Sequence, residues 1–301
     1  MLARQDSGQV EKNCHFPTLF GIQSNAMTDD FDRILSLDDS EIDLAEGALI
    51  IARDEYPDLD IPRYLEQIDS FAIDVAERLG DDNDMETIIT VLNNYLFKER
   101  GFRGNMENYY DPRNSLLNDV LDRRQGIPIS LSIIYLETGR RLGLDLEGVS
   151  FPGHFLVRFN VGSGAVVLDP FFGGISLGED ELEFRLSRFS GESYWGESLE
   201  DLLEPASNRS ILERVLRNLR GIYMENSTHD KALLKSNRLL SIAPDNPSEY
   251  LLRGSIYHAM ECHQLALADY QQFVDMNPNG DDIERIRAKI IELQGAVRRL
   301  H

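Results

Sequence analysis

Residues 126–154 read GIPISLSIIYLETGRRLGLDLEGVSFPGH. Pro128 suits a first helical turn, where its missing N–H would have had no intrahelical partner, and Gly143 supplies a stop about four turns later. Beyond Gly143 the apolar period changes. LEGVSF (146–151), HFLVRFNV (154–161) and AVVLDPFF (165–172) are short, β-branched and aromatic, with Gly162, Ser163 and Gly164 as a hairpin turn between the last two. A helix laid on an antiparallel sheet is the smallest core that satisfies both patterns, and it predicts an α+β fold.

Working outward, the N-terminal third reads as a helical layer. Ile42, Leu44, Ala45, Ala48, Leu49 and Ala52 recur at helical spacing and stop at Tyr56, before Pro57. A second helix starts at Ile61 with Pro62 in its first turn, buries Leu65, Ile68, Phe71, Ala72 and Val75, and ends at Gly80. Residues 84–102 form a third. NSLLNDVLDRRQG (114–126) predicts a short helix capped by Asn114 or Ser115 and closed by Gly126 in the left-handed region. Near the end of the chain Tyr223, Ala232 and Pro244 recur thirty-four positions on as Tyr257, Ala266 and Pro278. That is the tetratricopeptide period, two antiparallel helices per repeat. Gly254 and Tyr270 fit further positions of the repeat, and Glu261 stands where a small residue is usual. The expected parts are a disordered extension over 1–26, the α+β domain with its N-terminal helices over 27–205, and an all-α repeat array over 206–301.

Composition narrows the partners. Thirty basic against fifty-two acidic side chains leave a net charge of -22, so the average surface repels phosphate backbones and anionic lipid. Neither nucleic acid nor a membrane is an expected partner, and no apolar run approaches the ~20 residues that span a bilayer. Arg123, Arg124, Arg140 and Arg141 form a tight basic cluster that suits the ends of two helices. Cys14 and Cys262 make neither a CxxC pair nor a disulfide framework, which points to a reducing compartment, the cytoplasm. His258 and His263 are five apart, a poor zinc spacing, and no P-loop or GxGxxG is present, so neither metal nor cofactor is implied.

The hairpin brings one chemical pair together. His154, Leu156, Arg158 and Asn160 share a face, and a two-residue turn near Gly162 makes paired residue numbers sum to 323, 325 or 327. The first register sets His154 opposite Asp169; the second makes them diagonal neighbours, about 7 Å apart at most. An aspartate beside a histidine fixes its tautomer and stabilises the imidazolium. A nucleophile would come from the N-terminus of the helix over the sheet, where Ser130 and Ser132 are the nucleophilic side chains at hand.

At these residues the sequence resembles the transglutaminase-like superfamily, of papain-like fold, and more closely its SirB1-type branch, a bacterial family with C-terminal tetratricopeptide repeats. The matching stretches are YPDLD (56–60), NSLLNDVLDRRQGIPISLSIIYLE (114–137), RRLGL (140–144), GVSFPGHFLVR (148–158) and LDPFFGG (168–174). The resemblance gives His154 the place of the base and Asp169 that of the orienting acid. The usual cysteine does not carry over: one register sets Pro128 there, and a shift of two sets Ser130 there. The expectation is a pseudoenzyme that binds a protein or peptide through its repeats and a relic cleft, with Asn114, Asn118, Arg124 and Pro128 lining it. The competing expectation is a serine-dependent acyl-transfer enzyme, a peptidase or amidase, using Ser130, His154 and Asp169.

Overall fold

A computed structural model of the chain describes residues 30–80, 84–162, 164–188, 198–277, 279–280 and 282–300. One compact unit is residues 29–222, and a second contains residues 223–301. The expected extension over 1–26, Cys14, Ser163 and Pro278 lie outside the described residues.

In the first unit, α1 (Asp30–Ser36) precedes three helices at the expected places: α2 (Leu44–Ala52), α3 (Ile61–Leu79) and α4 (Met85–Asn93). Aspartates start all three of the latter. The side chains of Asp43, Asp60 and Asp84 accept from the backbone N–H of Glu46, Arg63 and Thr87, satisfying donors that a helix start leaves free. Part of the acidic surplus therefore has a local job. The third helix runs past Asn93 into a π-helical turn, Asn94–Glu99, which the periodicity does not signal.

α5 (Leu117–Arg123) departs from expectation at both ends. Its N-cap is Leu116, without a side-chain cap, because Asn114 and Ser115 belong to and follow a preceding 3-10 turn, Pro112–Asn114. It closes on Arg124, at φ 58°, and not on Gly126. Gly126 instead pairs with Gly104 in a small parallel sheet of β1 (Arg103–Gly104) and β2 (Gln125–Gly126). It is glycine for a steric reason: a Cβ there would come within 2.6 Å of the Ser130 Oγ.

The central helix is α6 (Pro128–Arg141), buried continuously from Pro128 to Gly139. It packs against α2, α3 and the sheet. At its C-terminal end Arg140 and Arg141 bond the buried Glu137 carboxylate at 2.7 and 2.5 Å, and Glu137 also accepts the Leu44 N–H at 2.9 Å. Arg141 of the arginine cluster is thus held largely inside the fold, while Arg140 reaches the same carboxylate from the surface. β3 (Glu147–Val149), β4 (Leu156–Val161), β5 (Gly164–Asp169) and β6 (Ile175–Leu177) form one antiparallel sheet in chain order. β6 is an addition to the expected strands. Gly162, at φ 60°, turns the β4–β5 hairpin. α7 (Glu179–Arg188), α8 (Leu199–Leu202) and α9 (Asn208–Glu225) follow, and the division between the compact units falls inside α9, later than the expected 205/206 boundary.

The second unit repeats itself in detail. α10 (His229–Ile242) and α12 (His263–Met276) flank α11 (Pro247–Ala259), and α13 (Ile283–Leu300) follows. Ser227 and its repeat-mate Glu261 both take left-handed φ, 55° and 62°. The next N–H, of Thr228 or Cys262, bonds the carbonyl of Tyr223 or Tyr257 at 2.9 Å in each case. This explains why a small residue is usual where Glu261 stands: a side chain is strained there. Ala232 and Ala266 are fully buried, and a Cβ on Gly254 would come within 2.8 Å of the Tyr270 ring. Among the described residues no helix is long and apolar enough to cross a membrane. No cysteine among them is free, so the cysteines do not carry the compartment reading.

Candidate functional site

His154 lies two residues before β4, in a turn and not on the strand. Its N–H bonds the Phe151 carbonyl at 3.0 Å, and Gly153 takes φ 66° to make the turn. Val157 pairs with Leu168, which is the register summing to 325, so Asp169 at the end of β5 is the diagonal neighbour of His154. The ring Nε2 meets Asp169 Oδ1 at 2.9 Å. Oδ1 also accepts the Phe171 N–H at 3.1 Å, and Oδ2 accepts from Arg185 of α7 at 2.6 Å. Asp169 has no solvent exposure. Burial by itself raises its carboxyl pKa, but the hydrogen bonds and charges of His154 and Arg185 outweigh burial and hold it below the ordinary carboxylate range. An ionised carboxylate can only accept, so Nε2 carries the proton and Nδ1 is left without a hydrogen bond. A cleft of about 370 Å³ opens beside the ring. Phe172 stacks on the imidazole at 6.2 Å and Phe171 meets it edge-on at 5.8 Å. Phe172 and Phe184, both exposed, line the cleft, with Arg185 and Arg188 over their faces.

The other residues singled out from the sequence lie elsewhere. Ser130 is buried; its Oγ accepts the Ile127 N–H at 3.1 Å and donates to the Asn114 carbonyl at 2.6 Å. No hydrogen bond joins it to His154. Pro128 is the buried first residue of α6, and neither it nor Ser130 lines the cleft. The Asn114 amide donates to the carbonyls of Asn108 and Tyr109 at 2.7 and 3.2 Å. Arg124 is exposed at the end of α5, and Asn118 lines a different cleft.

Comparison with known proteins fits this geometry to a family. Residues 62–217 match the model of the transglutaminase-like superfamily, and residues 219–290 that of the tetratricopeptide repeat. A UPF0162 protein of Xylella fastidiosa is 38% identical over 264 residues, 87% of this chain and 94% of that relative. UPF0162 protein YchA of Escherichia coli and protein SirB1 of Salmonella typhimurium are each 30% identical over 251 residues, 82% of this chain and 91% of theirs. The chain belongs to the transglutaminase-like superfamily, in its SirB1-type branch. This SirB1-type chain joins a transglutaminase-like domain to tetratricopeptide repeats, and the relatives named are bacterial proteins.

Sequence reasoning missed Arg185 and the aromatic walls of the cleft. The signal for Arg185 was slight, a lone basic residue four positions after Glu181 in the acidic segment EDELEF. Among the described residues no group of three His, Cys, Asp or Glu side chains could hold a metal ion.

Proposed function

We propose that this SirB1-type chain is a non-catalytic adaptor that binds a protein or peptide through its repeats and the cleft beside His154. The observation that carries the reading is the bonding of Ser130. Its one hydroxyl proton goes to a backbone carbonyl within a buried knot, so no proton is presented to His154. Serine catalysis requires the nucleophile within hydrogen-bond reach of its base. Pro128, the alternative position for the nucleophile, has no nucleophilic atom and no N–H to offer a developing oxyanion. Arg185 supports the same reading, because its charge on the far oxygen of Asp169 offsets what an imidazolium would draw on during proton transfer. What remains is suited to holding a ligand: a histidine with one open nitrogen, flanked by exposed phenylalanines in a chain that also carries repeats. A fluorophosphonate probe tests the reading on the full chain. No labelling is expected, with or without Ser130→Ala; labelling that disappears in Ser130→Ala would establish a serine-dependent acyl-transfer enzyme instead.

A further inference from the structure

The segment between α2 and α3 and the near face of α5 enclose a second cleft in the first unit, of about 600 Å³. Tyr56, Asp58, Tyr64, Asn118, Asp119 and Asp122 stand in its walls. The Tyr56 hydroxyl donates to Oδ2 of Asp119 at 2.8 Å, and that of Tyr64 to Oδ2 of Asp122 at 2.7 Å. Each carboxylate is thereby oriented, with its second oxygen left without a hydrogen bond. Among the described residues no cation lies within ion-pair distance of Asp58, Asp119 or Asp122, whereas Asp74, Asp111, Glu137 and Asp169 of the same unit each hold an arginine. Burial raises the Asp119 carboxyl above its ordinary range, against the Tyr56 hydrogen bond and the charges of Arg123 and Arg113, as expected of negative charge that is not fully neutralised.

An independent feature points to a ligand. Asn118 is 5% exposed, lines the same cleft, and its amide oxygen is buried with no hydrogen-bond partner. A buried acceptor without a donor is uncommon in a folded protein. Asn118, Asp119 and Asp122 lie within about one turn of α5, with Asp119 and Asp122 three residues apart on one face. The wall thus presents several acceptors and a deficit of positive charge. Five donors in a flat fork, able to stack on an aromatic face, match that demand better than the compact ammonium of lysine. The Tyr64 ring already carries the Arg63 guanidinium at 5.3 Å, while the Tyr56 ring is exposed. Arg63 lines the cleft, and its backbone N–H bonds Asp60, but its guanidinium pairs with none of the cleft's carboxylates.

We propose that this cleft binds the arginine side chain of a basic peptide, its guanidinium held between Asp119 and Asp122, one N–H on the Asn118 carbonyl and its plane against Tyr56. The assignment stands independently of the cleft beside His154. Fluorescence anisotropy on the full chain at low salt tests it, with dye-labelled Gly-Gly-Arg-Gly-Gly and the same peptide carrying neutral citrulline or lysine. The arginine peptide is expected to bind, the citrulline peptide not to, and the lysine peptide to bind more weakly. Asp119→Asn with Asp122→Asn keeps acceptors for both tyrosines and should weaken arginine binding by about ten-fold or more. Asp32→Asn with Glu77→Gln removes the same charge elsewhere and should leave it within about two-fold. Citrulline or lysine binding as tight as arginine, or equal weakening by the two double variants, would overturn the proposal. Should the first double variant fail to fold, the three peptides on the wild-type chain decide it alone.

Discussion

Ser130 and Asp169 differ in how far their roles could be read from residue type. A serine three residues into a helix reads equally as a nucleophile and as the far half of a cap. The deciding partner is the Asn114 carbonyl, sixteen positions away in the chain, and no local pattern reveals where that carbonyl points. The His154–Asp169 pair was more legible because hairpin alternation across a turn of even length puts positions 154 and 169 on one face, and the turn before β4 keeps His154 on that side. Its third member was not, since Arg185 arrives from a separate helix. Asp169 makes the clearest prediction at this scale. Its folded pKa lies below the unfolded value near 3.8. The stabilisation is therefore fully present above that value and is lost as pH falls through the lower folded pKa. Asp169→Asn leaves Arg185 without a counter-charge at its better-buried end, and should lower stability at neutral pH by roughly 3 kcal/mol, the scale of a broken buried pair. It should also flatten the acid limb below about pH 4, where the wild type alone has this carboxylate to protonate. Urea midpoints measured from pH 7 to pH 3 check both effects; parallel curves for the two proteins would refute the assignment.

Elements were legible in proportion to what they bury by themselves. α3 shows a full apolar stripe and its expected start and end agree with the helix observed, whereas α7 buries Leu182 as its one fully covered residue. α7 is also tied by Arg185 on Asp169, a long-range ion pair that periodicity does not register. β6 is three residues long with two of them exposed, so it takes its place from pairing with β5 and not from a pattern of its own. The end of α5 was misplaced because glycine is the usual occupant of the left-handed position, and here the chain puts Arg124 there and saves Gly126 for close approach to Ser130. A non-glycine residue in that region carries about 1 kcal/mol of strain. Arg124 is exposed, with no hydrogen bond from its side chain. Arg124→Gly should therefore raise stability by roughly 0.5–1 kcal/mol, read as a shift in the urea midpoint at constant slope. A loss of stability would mean that the arginine side chain contributes more than its backbone strain costs.

At the scale of the whole molecule, the thirty-four-residue period was legible because stacked helix pairs must repeat their turn geometry as well as their apolar faces. The paired left-handed residues Ser227 and Glu261 show that repetition at the backbone. Charge acts at the same scale with a different consequence. With fifty-two acidic and thirty basic side chains, twenty-two negative charges stay uncompensated however the chain is arranged. Their mutual repulsion opposes compaction. Surface ion pairs are each worth at most about 1 kcal/mol, so screening them removes little. The Debye length shortens from about 30 Å at 0.01 M salt to about 8 Å at 0.15 M, which chiefly relieves repulsion between distant charges. Raising NaCl over that range should therefore raise the thermal midpoint by a few degrees. The same salt should weaken capture of an arginine peptide by the Asp119–Asp122 cleft, because that contact is an attraction between opposite charges. The two responses, followed by thermal melting and anisotropy in the same buffers, should have opposite signs. A midpoint that falls with salt would show that the ion pairs around Glu137, Asp74 and Asp111 outweigh the surplus of acid in holding the fold.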